Sequence, residues 1–133
     1  MSANESTSAE LIQLTGKLLD SIAKGDWDTY ASLCDPTLTA FEPESLGHLV
    51  EGMEFHRFYF DLGGAEGRHN TTISSPHVRV LGDVGIVSFV RLVQRLDAQG
   101  NPVVRRGEET RVGHRGPGGW RHVHFHRSIT SPG

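Results

Sequence analysis

Apolar residues return along this chain in two rhythms. Between Glu10 and Gly25 they recur at helical spacing: Leu11, Leu14, Leu18 and Ile22 form a stripe that Ile12 and Leu19 widen. Ahead of the stripe, residues 1–8 (MSANESTS) are polar and predict a mobile tail. Gly25 predicts the helix stop, because glycine adopts left-handed backbone without a steric penalty. Asp26 can then cap a second short helix, DWDTYASLCD, with Trp27, Tyr30 and Leu33 on one face and Pro36 as its end. TLTAF reads as a strand, Pro43 breaks it, and SLGHLVEG reads as a hairpin-like extended segment. MEFHRFYFDL follows, bracketed by Gly52 and Gly63-Gly64 at a length that suits a helix. Phe55, Phe58 and Leu62 lie on one side of it, and His56, Tyr59 and Phe60 on another. A helix apolar most of the way round is expected to be buried on more than one side. If Phe58 is core, its truncation to alanine costs ~3–5 kcal/mol.

After GGAEGRH the rhythm shortens to two. NTTISSPHVRVLGD predicts a strand broken at Pro76, and VGIVSFVRLVQRL a strong strand. DAQGN and GPGG are turns that bound the strands PVVRRGEETRVGHR and WRHVHFHRSI. The order predicts an α+β fold in one domain: a cone made of a curved antiparallel sheet with helices on its concave side, and so with an internal pocket. The 133 residues suit a single domain over the whole chain.

Composition narrows the function. A net charge of -3 argues against nucleic acid as the main partner. One cysteine, Cys34, excludes a disulfide within the chain and any Cys/Cys zinc motif. Neither a signal peptide nor a membrane span is legible, so a soluble, cytoplasmic protein is expected. No phosphate-binding loop, nucleophile elbow or dinucleotide fingerprint occurs, and no cofactor is implied.

Strand alternation sorts the candidate chemistry. Val87, Phe89, Arg91 and Val93 share one face; Glu109 and Arg111 share another with Gly107 and Gly113. In the last strand, Arg121, Val123, Phe125 and Arg127 are expected on one face, and Trp120, His122, His124 and His126 on the other. Arginines in register with apolar residues need partners. They either satisfy buried carboxylates such as Glu109 or Glu51, or form an anion-binding pocket, since guanidinium suits bidentate carboxylate contact. The three imidazoles of HVHFH span roughly 13 Å along a strand. One ion cannot take all three, and a packed or interface face with Trp120 is expected rather than a metal site. His56 and Glu109 are the candidates for general-base chemistry.

GDWDTYASLCDPTLTAFEPESLGHLVEGMEFHRFYF, EETRVGHR and WRHVHFHRS closely resemble the association (hub) domain of calcium/calmodulin-dependent protein kinase II, from about Glu10 to Ser128. The resemblance implies the cone of the nuclear transport factor 2-like (SnoaL-like) superfamily. It implies a non-catalytic domain whose subunits pair and close into stacked rings of about twelve or fourteen. It also implies a pocket for acidic peptides and small carboxylates, with Arg91, Arg111 and Arg127 as its arginines and His56 as its histidine. FEPESLGHLVEG is expected to help build subunit contacts. The chain reads as a stand-alone homologue, without a kinase domain or calmodulin-binding helix. Two departures bear on pocket closure: the loop DLGGAEGRH lacks a tryptophan, and Gly113 stands where the family has one. The alternative from the wider superfamily is a small-molecule isomerase, dehydratase or cyclase using His56 and Glu109.

Overall fold

In the computed structural model, which describes residues 3–129, helix α1 runs over Ala3–Lys24. It starts well before the apolar stripe. Residues 3–8, expected to be a mobile tail, are helical, and residues 1–2 lie outside the described residues. Nothing in that stretch breaks a helix, and Glu5 in the first turn suits the positive end of the helix dipole. Leu11, Leu18 and Leu19 are buried, as the stripe requires, together with Thr15 and Ser21. The two hydroxyls donate back to the carbonyls of Leu11 (2.8 Å) and Leu18 (2.6 Å), which lets polar residues sit on the apolar face. Gly25 follows the helix with φ +70°.

Asp26 caps α2 (Trp27–Leu33) as expected: its carboxylate accepts from the Thr29 amide at 3.2 Å and the Thr29 hydroxyl at 2.6 Å. The helix ends before Pro36, which lies inside strand β1 (Cys34–Phe41). Proline offers no ladder N–H, and the pairing of β1 shifts register between Cys34 and Thr39. A 3-10 turn over Pro43–Ser45 leads to β2 (Val50–Glu51), which pairs back onto β1, so the expected hairpin shrinks to two residues. Helix α3 spans Glu54–Asp61. Then come β3 (His69–Leu81), β4 (Val84–Leu96), β5 (Pro102–Gly116) and β6 (Gly119–Ile129).

The six strands lie in the order β2-β1-β6-β5-β4-β3. Neighbours are antiparallel except β1 against β6, which is parallel and corrects the all-antiparallel expectation. Helix α1 packs on β3 and β4, and α2 on β1 and β6. The helices therefore cover one face of the sheet, and Val87, Phe89, Trp120 and Phe125 meet Leu11, Leu18 and Tyr30 in the core there. No described helix is long and apolar enough to cross a membrane.

Two bulges decide which side chains reach that face. In β3 the register with β4 shifts between Ser74 and His77, around Pro76, so Ile73 and Val78 both turn inward despite their odd and even numbers. In β6, His122 pairs with Gly113 and His124 with Val112, which leaves Val123 as the extra residue. Strict alternation therefore fails in β6. Trp120 and His122 are buried with Phe125, Arg121 is exposed, and His126 is exposed on the open face.

Candidate functional site

The helix-covered face of β4, β5 and β6 carries Arg91, Glu109, Arg111 and Arg127, four of the five residues singled out from the sequence. Register explains the meeting. Phe89 lies opposite Glu109, Glu109 opposite Arg127, and Val87 opposite Arg111. Glu109 is the hub of the group. Its Oε2 accepts from Arg91 at 3.0 Å, and its Oε1 accepts from Arg111 Nε at 2.8 Å. Burial alone raises the pKa of Glu109; the charges and hydrogen bonds of Arg111 and Arg91 outweigh it and hold the carboxyl below its ordinary value. Glu109 is a fixed anion. The expectation that buried carboxylates satisfy the arginines holds for Glu109. It fails for Glu51, which is exposed on β2.

Arg111 is the deepest charge, 2% exposed, with its guanidinium 4.3 Å above the Phe125 ring. Arg91 is nearer the surface. Burial lowers its pKa, Glu109 opposes the shift, and the like charges of Arg111 and Arg127 add to it. Positive charge thus exceeds what Glu109 neutralises. Two guanidinium N–H groups, Arg91 Nε and Arg111 Nη1, are buried with no acceptor among the described residues. Arg127 turns to Glu44 on the 3-10 turn, donating to its Oε1 at 2.6 Å.

His56 stands apart from Glu109. It is the buried residue of α3, and its Nε2 lies 2.9 Å from Glu42 Oε2. The His56 ring packs on Phe125 at 5.4 Å, on the same aromatic that carries Arg111. Phe60, one turn on, closes against Tyr30 at 4.7 Å and Trp27 at 5.2 Å. The rest of α3 departs from expectation: Phe58 is 62% exposed, Tyr59 40% and Leu62, just past its end, 72%. The helix is buried on one side only. Phe58 is not core, and the ~3–5 kcal/mol loss expected for its truncation has no basis within a single subunit.

The interior below Arg111 is closed. A Cβ on Gly113 would lie 3.5 Å from the Trp120 ring, and one on Gly85 2.5 Å from Leu11. Trp120 of β6 and Leu11 of α1 thus fill the bulk that glycine at 113 leaves free, and a cavity of about 10 Å³ remains beside Arg111 and His122. The loop without a tryptophan runs to the end of α1, where the Ala65 amide donates to Ala23 at 2.8 Å. Space opens instead at the mouth, a recess of about 210 Å³ lined by Arg91, Arg95, Arg105, Glu109, Arg127 and Glu44, among others.

Sequence reasoning missed Arg95 and Arg105 at this mouth, as well as Glu42 and Glu44. The first two carried a signal: the alternation that placed Arg91 and Glu109 continues to Arg95 and back to Arg105. The glutamates carried none, because their partners come from β6 and α3. Of the imidazoles of HVHFH only His124 and His126 share a face, His122 lying on the other, and the described residues hold no group of three His, Cys, Asp or Glu arranged for a metal. Cys34 is buried, which pushes its thiol up to about 12, with Arg111 opposing.

Residues 7–131 match the family model of the calcium/calmodulin dependent protein kinase II association domain. The chain is 49% identical over 122 residues, 90% of its length, to the delta subunit of the type II kinase of Oryctolagus cuniculus, and covers 23% of that protein. It therefore spans about a quarter of the curated relatives it matches. The association domain of the C. elegans kinase superposes with a TM-score of 0.89 at 43% identity, covering 93% of this chain and 96% of that one. A hub homology domain from Chlamydomonas reinhardtii gives 0.87 at 45% identity, covering 94% and 99%. A nuclear transport factor 2-like protein from Salmonella enterica (TM-score 0.78, 22% identity, covering 98% and 95%) shows the fold alone.

Proposed function

The chain belongs to the association-domain family of calcium/calmodulin-dependent protein kinase II, and on that premise we propose that it is a non-catalytic self-assembly module with an arginine-lined anion pocket. Its subunits pair and close into a ring in the cytoplasm, and the pocket takes a carboxylate from a small molecule or an acidic peptide. One observation carries the assembly reading. Between Phe41 and Leu62 the chain leaves several large apolar side chains in water: Phe41, Leu46 (85% exposed), Leu49, Phe58, Tyr59 and Leu62. Scattered apolar residues are ordinary on a surface, but a helix that turns its phenylalanine outward and its histidine inward is built for a partner. Leu46 and Leu49 lie in FEPESLGHLVEG, the segment expected to make subunit contacts.

The anion reading is supported by the excess of guanidinium over carboxylate on the helix-covered face and by Arg91, whose side chain keeps 17% of its surface exposed at the mouth. It places a ligand carboxylate at Arg91, with Arg127 beside it and Arg111 and His56 supporting from beneath. No observation favours the enzymatic alternative. His56 and Glu109 answer to different partners, and a carboxylate fixed between two arginines is a weak base.

Light scattering on a sizing column tests assembly. A mass many times the 14.6 kDa of the chain, stable across concentrations, is expected. A monomer or simple dimer at every concentration overturns it. Calorimetric titration with acetate and succinate tests the pocket. Saturable binding that Arg91→Gln abolishes is expected, and binding unchanged by that substitution sinks the reading.

A further inference from the structure

The arginines at the mouth are evenly spaced. Arg91 lies opposite Gly107; two residues along the strands, Arg105 lies opposite Val93; two further, Arg95 lies opposite Val103. One step in the other direction, Arg127 lies opposite Glu109, which faces Phe89. Each step of two residues is roughly 6.6–6.8 Å. That is the spacing of same-side side chains in any extended peptide. The helix-covered face therefore presents one guanidinium per rung over four rungs.

Occupancy differs along this ladder. Arg127 is held by Glu44, so its rung already has a carboxylate. Arg91 gives one nitrogen to Glu109 and keeps 17% of its side-chain surface open to the recess. Arg95 and Arg105 are exposed and make no ion pair with any described residue. The other charges close by are committed. Arg106 pairs with Glu108, at 3.8 Å, and the Asp97 carboxylate accepts from the amides of Gln99 and Asn101 in its own turn. Gly107 adds no side chain between the rungs, and the recess continues into a larger one of about 1100 Å³ floored in part by Val103, Val104 and Ile129. In a chain of net charge -3, such a patch of free cations calls for a counter-charge.

We infer that the ligand of this mouth is an extended acidic peptide with a carboxylate at every second residue. Its acids take Arg91, Arg105 and Arg95 in turn, while Glu44 keeps Arg127 as a built-in first rung. The inference rests on the anion-pocket reading above and deepens it: Arg95 and Arg105 make the site prefer a spaced row of acids to a single carboxylate. Exposed guanidinium–carboxylate contacts are individually weak, so selectivity comes from matching several at once.

The test uses the intact protein, two fluorescently labelled peptides of equal charge and acetate, at ~0.15 M salt so that long-range attraction is screened. One peptide alternates glutamate and serine; the other carries the same glutamates as a block. The alternating peptide is expected to bind at least tenfold more tightly than the block. Arg95→Gln/Arg105→Gln is expected to remove that advantage and leave acetate affinity unchanged, and both substitutions are exposed enough for the fold to persist. Equal affinity for the two peptides, no binding of either, or an alternating-peptide affinity unmoved by the double substitution overturns the ladder. Loss of acetate binding in wild type, or acetate binding indifferent to Arg91→Gln, overturns the pocket reading instead.

Discussion

Replacing Glu109 by glutamine tests the electrostatic core most directly. The substitution preserves shape and removes one charge. Glu109 is 3% exposed and is, among the described residues, the sole carboxylate bonded to Arg111, itself 2% exposed. The variant therefore strands a buried guanidinium. Breaking a buried pair by removing one partner costs ~3–5 kcal/mol. Most of the loss comes from Arg111, since the Arg91 side chain keeps 17% of its surface in water. The Phe125 ring still faces Arg111 and retains ~1–2 kcal/mol of attraction, so the lower half of the range is expected. Urea denaturation at one fixed protein concentration reads the loss, because assembly couples stability to concentration. With a slope of ~1–3 kcal/mol per molar, the midpoint falls by about 1–4 M. A double variant, Glu109→Gln/Arg111→Met, removes the stranded charge and should recover part of the loss. The pH dependence supplies a sign. The folded pKa of Glu109 lies below its ordinary 4.5, so its contribution is present above that pH and disappears as pH falls through the folded value. The gap between wild type and variant should narrow in acid. A loss below about 1 kcal/mol at neutral pH, or a gap that persists undiminished in strong acid, would refute the account.

Three further outcomes are expected. Phe58→Ser should leave the secondary structure seen by circular dichroism intact and reduce the particle mass seen by light scattering; unfolding of the subunit would show that Phe58 is core after all. Gly25→Ala should destabilise by ~1–3 kcal/mol in thermal melts, because φ is +70° there and the new Cβ would lie 2.6 Å from the Gly64 nitrogen. Burial, reinforced by Arg111, lowers His122 from 6.5 to about 3. An unfolded chain takes up a proton below pH 6.5 that the folded one refuses, so stability should fall by about 1.4 kcal/mol per pH unit. His122→Gln should flatten that slope between pH 6.5 and 5, and an identical slope in the variant would remove His122 from the account.

Local rules carried the elements well. Gly25 as stop, Asp26 as cap and the strand runs from Val84 onward follow from backbone sterics and side-chain period, which act within a few residues. The same rules misjudged which sides of α3 are buried and which side chains of β6 face inward. Nothing local separates a phenylalanine that faces the core from one that faces outward, so Phe58 and Leu62 read as buried. A single bulged residue, Val123, reversed the parity of everything before it, and a bulge is set by pairing with β5 and β1 rather than by the VHFH sequence itself.

By itself, the sequence determined the family, through motifs spread over nearly the whole chain, and the α+β order of elements, through its two hydrophobic rhythms. It also placed Glu109 and Arg111 on one face of their strand and Arg91 in register with the apolar residues of its own, because alternation in an unbulged strand is a covalent property; that these faces coincide follows from the pairing of β4 with β5. Only the tertiary structure decided that Glu109 is the counter-ion of two arginines, that Glu44 and Glu42 answer Arg127 and His56, and that Trp120 closes the interior over Gly113. The energy of each depends on register and burial, which are set by how strands and helices pack and which no local pattern encodes. The ladder from Arg91 to Arg95 needed both: alternation selects the side chains, and the pairing of β4 with β5 sets them in line.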